Sequence, residues 1–123
     1  MEYFQTGLVS LVAIEHFYFL YLEMFLWMKP KGMKVFGHSL EHAAITRVLA
    51  ANQGLYNGFL AAGLVWGLLH PEKSVGTQIQ IFFLVCIVIA AIYGGVIAKR
   101  SILVIQGLPA LLALFVLGLS FNT

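Results

Sequence analysis

Charge is what this chain has least of. Seven Lys or Arg and five Asp or Glu are spread over 123 residues, 10% charged in all, where a soluble domain carries about 25%. That scarcity excludes an ordinary water-facing surface, and with it a nucleic-acid-binding domain built on a basic face. Cysteine is limited to Cys86, so there is no internal disulfide and no redox compartment to infer. Its place in FFLVCIVIAA reads as a buried structural thiol. Proline occurs only at positions 30, 71 and 109, which leaves long stretches free to form uninterrupted helix. The first turns also lack the basic region of a secretory signal, carrying Glu2 instead, and no small-residue cleavage pattern follows. The first apolar run is therefore expected to be a retained span.

What fills the chain is hydrocarbon. Apolar residues make up 61%, and the mean hydropathy is +0.94. A membrane span needs about 20 predominantly apolar residues, and four segments qualify: about 3–28, 48–69, 79–98 and 102–120. They predict an all-α protein, an integral membrane four-helix bundle with antiparallel up-down topology, forming a single transmembrane domain over 1–123. Lys29, Lys31, Lys34 and Arg47 fall between the first two segments and Lys99 and Arg100 between the last two, against Lys73 alone on the other side. By the positive-inside rule, both termini lie outside, and the first and third loops are cytoplasmic.

The connections carry their own signals. The first loop runs from Lys29 to about His38 and contains Pro30, Gly32 and Gly37. Ser39 is a candidate N-cap for the second helix, with Glu41 in its first turn. His70-Pro71 ends that helix, and HPEKSVG makes a short turn. Ala50, Gly54, Gly58 and Ala62 recur every four residues, a small-residue ridge that admits a close neighbour, here expected to be another helix of the same chain. Pro109 is expected to kink the fourth helix or to free a carbonyl beside Gln106.

Within these apolar segments the polar residues stand out. Glu15 and His16 lie mid-span in the first segment, with Glu23 two turns further on. An ionisable group at that depth costs roughly 2.5–3.5 kcal/mol or more, and so faces a partner or a water-filled cavity. At about 100° per residue, Glu15, His16 and Glu23 share one arc of the helix, extended by Gln5 and Trp27, whereas Tyr21 points away. On the second helix, Asn52, Gln53, Tyr56 and Asn57 crowd a little over one turn. Matching depths at about 1.5 Å per residue places Asn57 near Glu15 and His16. The same matching puts Asn52, Tyr93 and Gln106 in the layer of Glu23. The expectation is a polar pocket opening toward the cytoplasm.

A carboxylate beside an imidazole suits proton transfer, in transport or in acid–base catalysis. Glu15 and His16 are the candidate proton-handling pair, with Glu23 a second acid. Asn52, Gln53, Tyr56, Asn57, Tyr93 and Gln106 are the candidate ligand-binding residues for a small amphipathic molecule. No metal site is expected, because Glu15 and His16 diverge around the helix and the Glu-x-x-His spacing of di-iron bundles is absent. No cofactor follows from the residues. His38, His42 and His70 are expected at the membrane interface. The expected partners are membrane lipids, a small-molecule ligand and further copies of the chain in a homo-oligomer, with no nucleic acid.

The runs LVAIEHFYFLYLEMF, RVLAANQGLYNGFLAAGL, IYGG and IQGLPALLAL together resemble a family of small four-span bacterial membrane proteins of unknown function. The resemblance covers nearly the whole chain. It implies a four-helix integral membrane fold in the bacterial inner membrane, with Glu15, His16, Glu23, Asn52, Gln53, Tyr56, Asn57 and Gln106 in its motifs. It implies no activity. Arg47, Ala51 and the run Asn52 to Asn57 are also similar to the second helix of glutathione-using membrane enzymes of the eicosanoid pathway, four-helix trimers with a cytoplasm-facing site. That likeness implies an enzyme acting on a lipid or thiol compound, but Asn57 stands where its motif has glutamate, and the further basic residues of the fourth helix are missing. Size and a first-helix glutamate are similar to small multidrug antiporters, whose surrounding motifs are not present. A purely structural membrane subunit is the remaining alternative.

Overall fold

Helix α1, Glu2–Phe25, runs for 24 residues without a proline. It stops three residues short of the expected span, where Lys29 turns extended and Pro30 opens a new helix. The structure, a computed structural model, describes residues 2–121. The segment expected as a loop contains a second helix, α2, Pro30–Phe36. Proline at N1 costs a helix nothing, since that N–H has no intrahelical acceptor, and its fixed φ is already helical. Gly37 ends α2 with φ 69°, a left-handed conformation that glycine adopts without strain. Gly32 lets α2 fold directly onto the end of α1, because a Cβ there would strike the Leu26 carbonyl.

Helix α3, Leu40–Leu69, is 30 residues long. Its start follows the sequence: Ser39 Oγ accepts the His42 N–H at 3.1 Å, and Glu41 sits in the first turn. It ends immediately before His70-Pro71. Helix α4, Lys73–Ile97, begins six residues ahead of the expected span, since Lys73 to Gln78 continue the helix into the polar segment. After Lys99-Arg100, a π-helical stretch, Leu103–Gly107, leads into α5, Leu108–Phe121. Pro109 explains the π turn. It has no N–H to give Ile105 and its ring crowds that carbonyl, so the backbone widens from an i→i−4 to an i→i−5 pattern. The distortion expected at Pro109 is therefore a π turn on its N-terminal side.

The described residues form helices joined by short connections, with no strand among them. The chain divides into two compact units, Ile14–Ala61, and Met1–Ala13 with Ala62–Thr123. In Ile14–Ala61, Ala50, Gly54 and Gly58 are buried as the ridge requires. A Cβ on Gly58 would come within 2.5 Å of Leu20, and one on Gly54 within 2.8 Å of Met24. The ridge thus serves packing within the chain. Ala62 is exposed and Ala61 fully buried instead. A four-residue step overshoots a helical turn by about 40°, so a ridge held to one face must take a three-residue step. In the other unit, Leu84, Ile87 and Ala91 of α4 are fully buried, as are Ala110 and nearly so Ala113 of α5.

Candidate functional site

Helix α1 carries Glu15, His16 and Glu23 in three different environments. His16 is fully buried and meets the Phe19 ring edge-on at 5.2 Å. Glu15 is partly covered, with 21% of its side chain exposed, and its Oε1 lies 3.9 Å from His16 Nδ1. That separation is too long for a hydrogen bond. Glu15 Oε1 is itself buried and has no hydrogen-bond partner among the described residues. Glu23 is buried and accepts a 2.5 Å hydrogen bond from Asn57 Nδ2.

That bond revises the expected depth match. Asn57 pairs with Glu23, two turns away from Glu15 and His16. The register is set by Gly54 and Gly58, which seat α3 on Leu20, Glu23 and Met24; depths counted from assumed span ends carry no information about that contact. Asn57 also lies on the buried face beside the glycine ridge. Asn52 and Gln53 are exposed, and Tyr56 is 51% exposed with its ring 6.1 Å from that of Phe59. Of the expected ligand residues on this helix, the structure brings only Asn57 to an acid of α1. Tyr93, on α4, is exposed, and Gln106 is half-buried in the π turn; both belong to the unit that includes residues 62–123. An open groove along α5 is lined by Leu108, Leu111, Leu112, Leu114 and Phe115 and includes none of the expected ligand residues.

A second polar cluster, not singled out from sequence, ties the α1–α2 corner to α3. Trp27 Nε1 donates to Thr46 Oγ1 at 3.1 Å, and Thr46 donates to the His42 carbonyl at 2.8 Å. His38 Nε2 lies 3.2 Å from the Trp27 carbonyl. The Trp27 ring packs 4.2 Å from His38 and 4.9 Å from Phe36. The signal available in the sequence was an indole just past a span, near a run rich in His and Thr. Its meaning depended on the turn at Gly32.

Three helices, Glu2–Phe25, Lys73–Ile97 and Leu103–Ser120, are long and apolar enough to cross a membrane, which points to a membrane protein. Helix α3 has the length but is diluted by Asn52, Gln53 and Asn57. The chain belongs to the family described as protein of unknown function DUF1304, which it matches over residues 10–118. It is 35% identical, over 107 residues, to the uncharacterized protein YpaA of Lactococcus lactis subsp. lactis (strain IL1403), covering 85% of this chain and 87% of that protein. No solved structure matches. Every candidate site residue lies inside the family match.

Proposed function

We propose that this protein is a four-span inner-membrane protein, a single domain of alternating up and down helices with cytoplasmic first and third loops. It binds or transports a small amphipathic molecule, using Glu15 and His16 to handle a proton. The observation that carries this reading is Glu15 Oε1, a buried carboxyl oxygen in an apolar helix with no hydrogen-bond partner among the described residues. Leaving a buried acceptor unpaired costs about 1–3 kcal/mol, and a helix gains nothing structural from it. A ligand bearing an amine or hydroxyl donor satisfies that oxygen when bound, and a proton satisfies it when the ligand leaves. His16, 3.9 Å away, is the nearby base able to pass the proton on. Glu23, paired with Asn57, serves as the second acid. A chain this small encloses a path across the bilayer only as an oligomer, and Asn52, Gln53 and Tyr56, exposed on α3, are available to the ligand or to a second copy.

The test is flux in proteoliposomes under an imposed pH gradient, with ethidium and tetraphenylphosphonium as probes. The expected result is proton-coupled movement that Glu15→Gln abolishes and Glu15→Asp partly restores. Flux unchanged by Glu15→Gln would sink the reading.

A further inference from the structure

The basic residues of the first connection are held in place more firmly than a loop that only sets topology requires. Four of the seven Lys and Arg of the chain, Lys29, Lys31, Lys34 and Arg47, fall within nineteen positions that contain one acid, Glu41. All four are exposed, and among the described residues none of them is ion-paired. They are not on a free loop. Three of them flank or belong to α2, which is locked by Gly32 against Leu26 and by Gly37 at its end. The Trp27–Thr46 hydrogen bond then fastens the same corner to the helix that carries Arg47, and His38, in the connection after α2, lies against the Trp27 carbonyl.

The corner also folds its charge back along α1. Lys31 Nζ lies 5.8 Å from the centre of the Tyr18 ring, and Tyr18 is two turns, about 10 Å, before the end of that helix. In a spanning α1, this holds an ammonium at the boundary between hydrocarbon and headgroups and not out in the water. On the elements that meet at this corner, Val35, Phe25 and Ile45 are exposed and Trp27 is half-buried. Exposed apolar side chains, an indole and exposed cations on one corner match the layer where lipid phosphates meet acyl chains.

From this geometry we infer that the α1–α2 corner, with Lys29, Lys31, Lys34 and Arg47, is a docking surface for the phosphate headgroups of anionic phospholipids. The inference rests on the membrane reading above, but not on Glu15 or on transport. Trp27 supplies the readout. In a Trp66→Phe background, so that Trp27 is the remaining tryptophan, the protein is reconstituted in equimolar phosphatidylglycerol and phosphatidylcholine. Quenching of Trp27 is measured with either lipid brominated in turn, which reports the relative occupancy of the two lipids at the corner.

Phosphatidylglycerol is expected to be enriched at Trp27 and to lose that preference as salt rises. Each surface cation near an anionic leaflet is worth about fivefold in association. The triple variant Lys29→Gln, Lys31→Gln, Lys34→Gln should therefore lower the preference on the order of a hundredfold, toward parity. The corresponding Lys→Arg triple should retain it, as should Lys99→Gln with Arg100→Gln. Equal quenching by the two lipids in the parent protein overturns the inference, even if the triple variant does not insert. So does a preference that the triple variant keeps. Failure of the parent protein to reconstitute at all overturns the membrane reading and this surface together, whereas loss of flux in Glu15→Gln leaves the lipid preference untouched.

Discussion

Between residues 14 and 61, helices α1 and α3 meet through a carboxylate, an amide and two glycines: Glu23 accepts from Asn57, and Gly54 and Gly58 admit Met24 and Leu20. Between residues 62 and 121, packing rests mainly on hydrocarbon. There Leu84, Ile87 and Ala91 of α4 and Ala110 of α5 are fully buried, and Gly63 faces the Phe83 ring. A side-chain hydrogen bond between helices in that region, Gln80 Nε2 to the Gly67 carbonyl at 3.1 Å, ends on backbone. In lipid, hydrocarbon gains little from leaving one apolar neighbour for another, so close fit and hydrogen bonds set the pairing. A glycine seat with a buried polar bond fixes one register, because a shift by one residue leaves an acid unpaired. Aliphatic packing tolerates more adjustment. The polar half is thus the more exacting part of the molecule, and it contains Glu15, His16 and Glu23.

Substitutions test that contrast, and Gly32→Ala should have the largest effect. Its new Cβ meets the Leu26 carbonyl, a backbone atom that cannot turn aside, at a cost of about 3 kcal/mol. Unfolding in a denaturing detergent titration measures it; a loss below about 0.5 kcal/mol would mean that α2 is not seated as described. Asn57→Leu comes next. It strips Glu23 of its donor and should cost about 2 kcal/mol. Glu23→Gln keeps an acceptor for Asn57 and should cost less than about 1 kcal/mol. Equal costs for the two would remove the special status of the polar pair.

In the hydrocarbon half, Gly63→Ala meets only the tip of the Phe83 ring, a side chain able to rotate, and should cost about 1 kcal/mol. Gly118→Ala, whose new methyl meets nothing within 4 Å, should instead stabilise α5 by about 0.5 kcal/mol. A Gly63→Ala penalty as large as that of Gly32→Ala would erase the difference between the halves. The smallest effect on stability belongs to Glu15→Gln. Its Oε1 has no hydrogen bond to lose among the described residues, so the change should stay within about 0.5 kcal/mol while proton-coupled flux disappears. A large loss of stability there would make Glu15 a structural residue.

Much of this was legible in advance where the signal is local. The scarcity of charge and the long apolar runs give a helical chain with membrane-length segments. Ser39 and His70-Pro71 mark helix ends, because caps and breakers act through the backbone of adjacent residues, whereas the short helix closed by Gly37 falls in a segment expected as a loop. The family likeness was also readable, since it rests on residue identity. The ridge Ala50, Gly54 and Gly58 was recognisable as a packing face by its period alone.

What the sequence by itself determined is therefore composition, helix, ends and family. Only the tertiary structure decided that Asn57 serves Glu23, that Ala61 replaces Ala62 on the buried face, and that Trp27 is bonded to Thr46. Each depends on where one helix stops against another. Period and propensity do not specify that offset. It is fixed by the close approach at Gly32, Gly54 and Gly58, where the absence of a Cβ sets how far the chains slide before they meet.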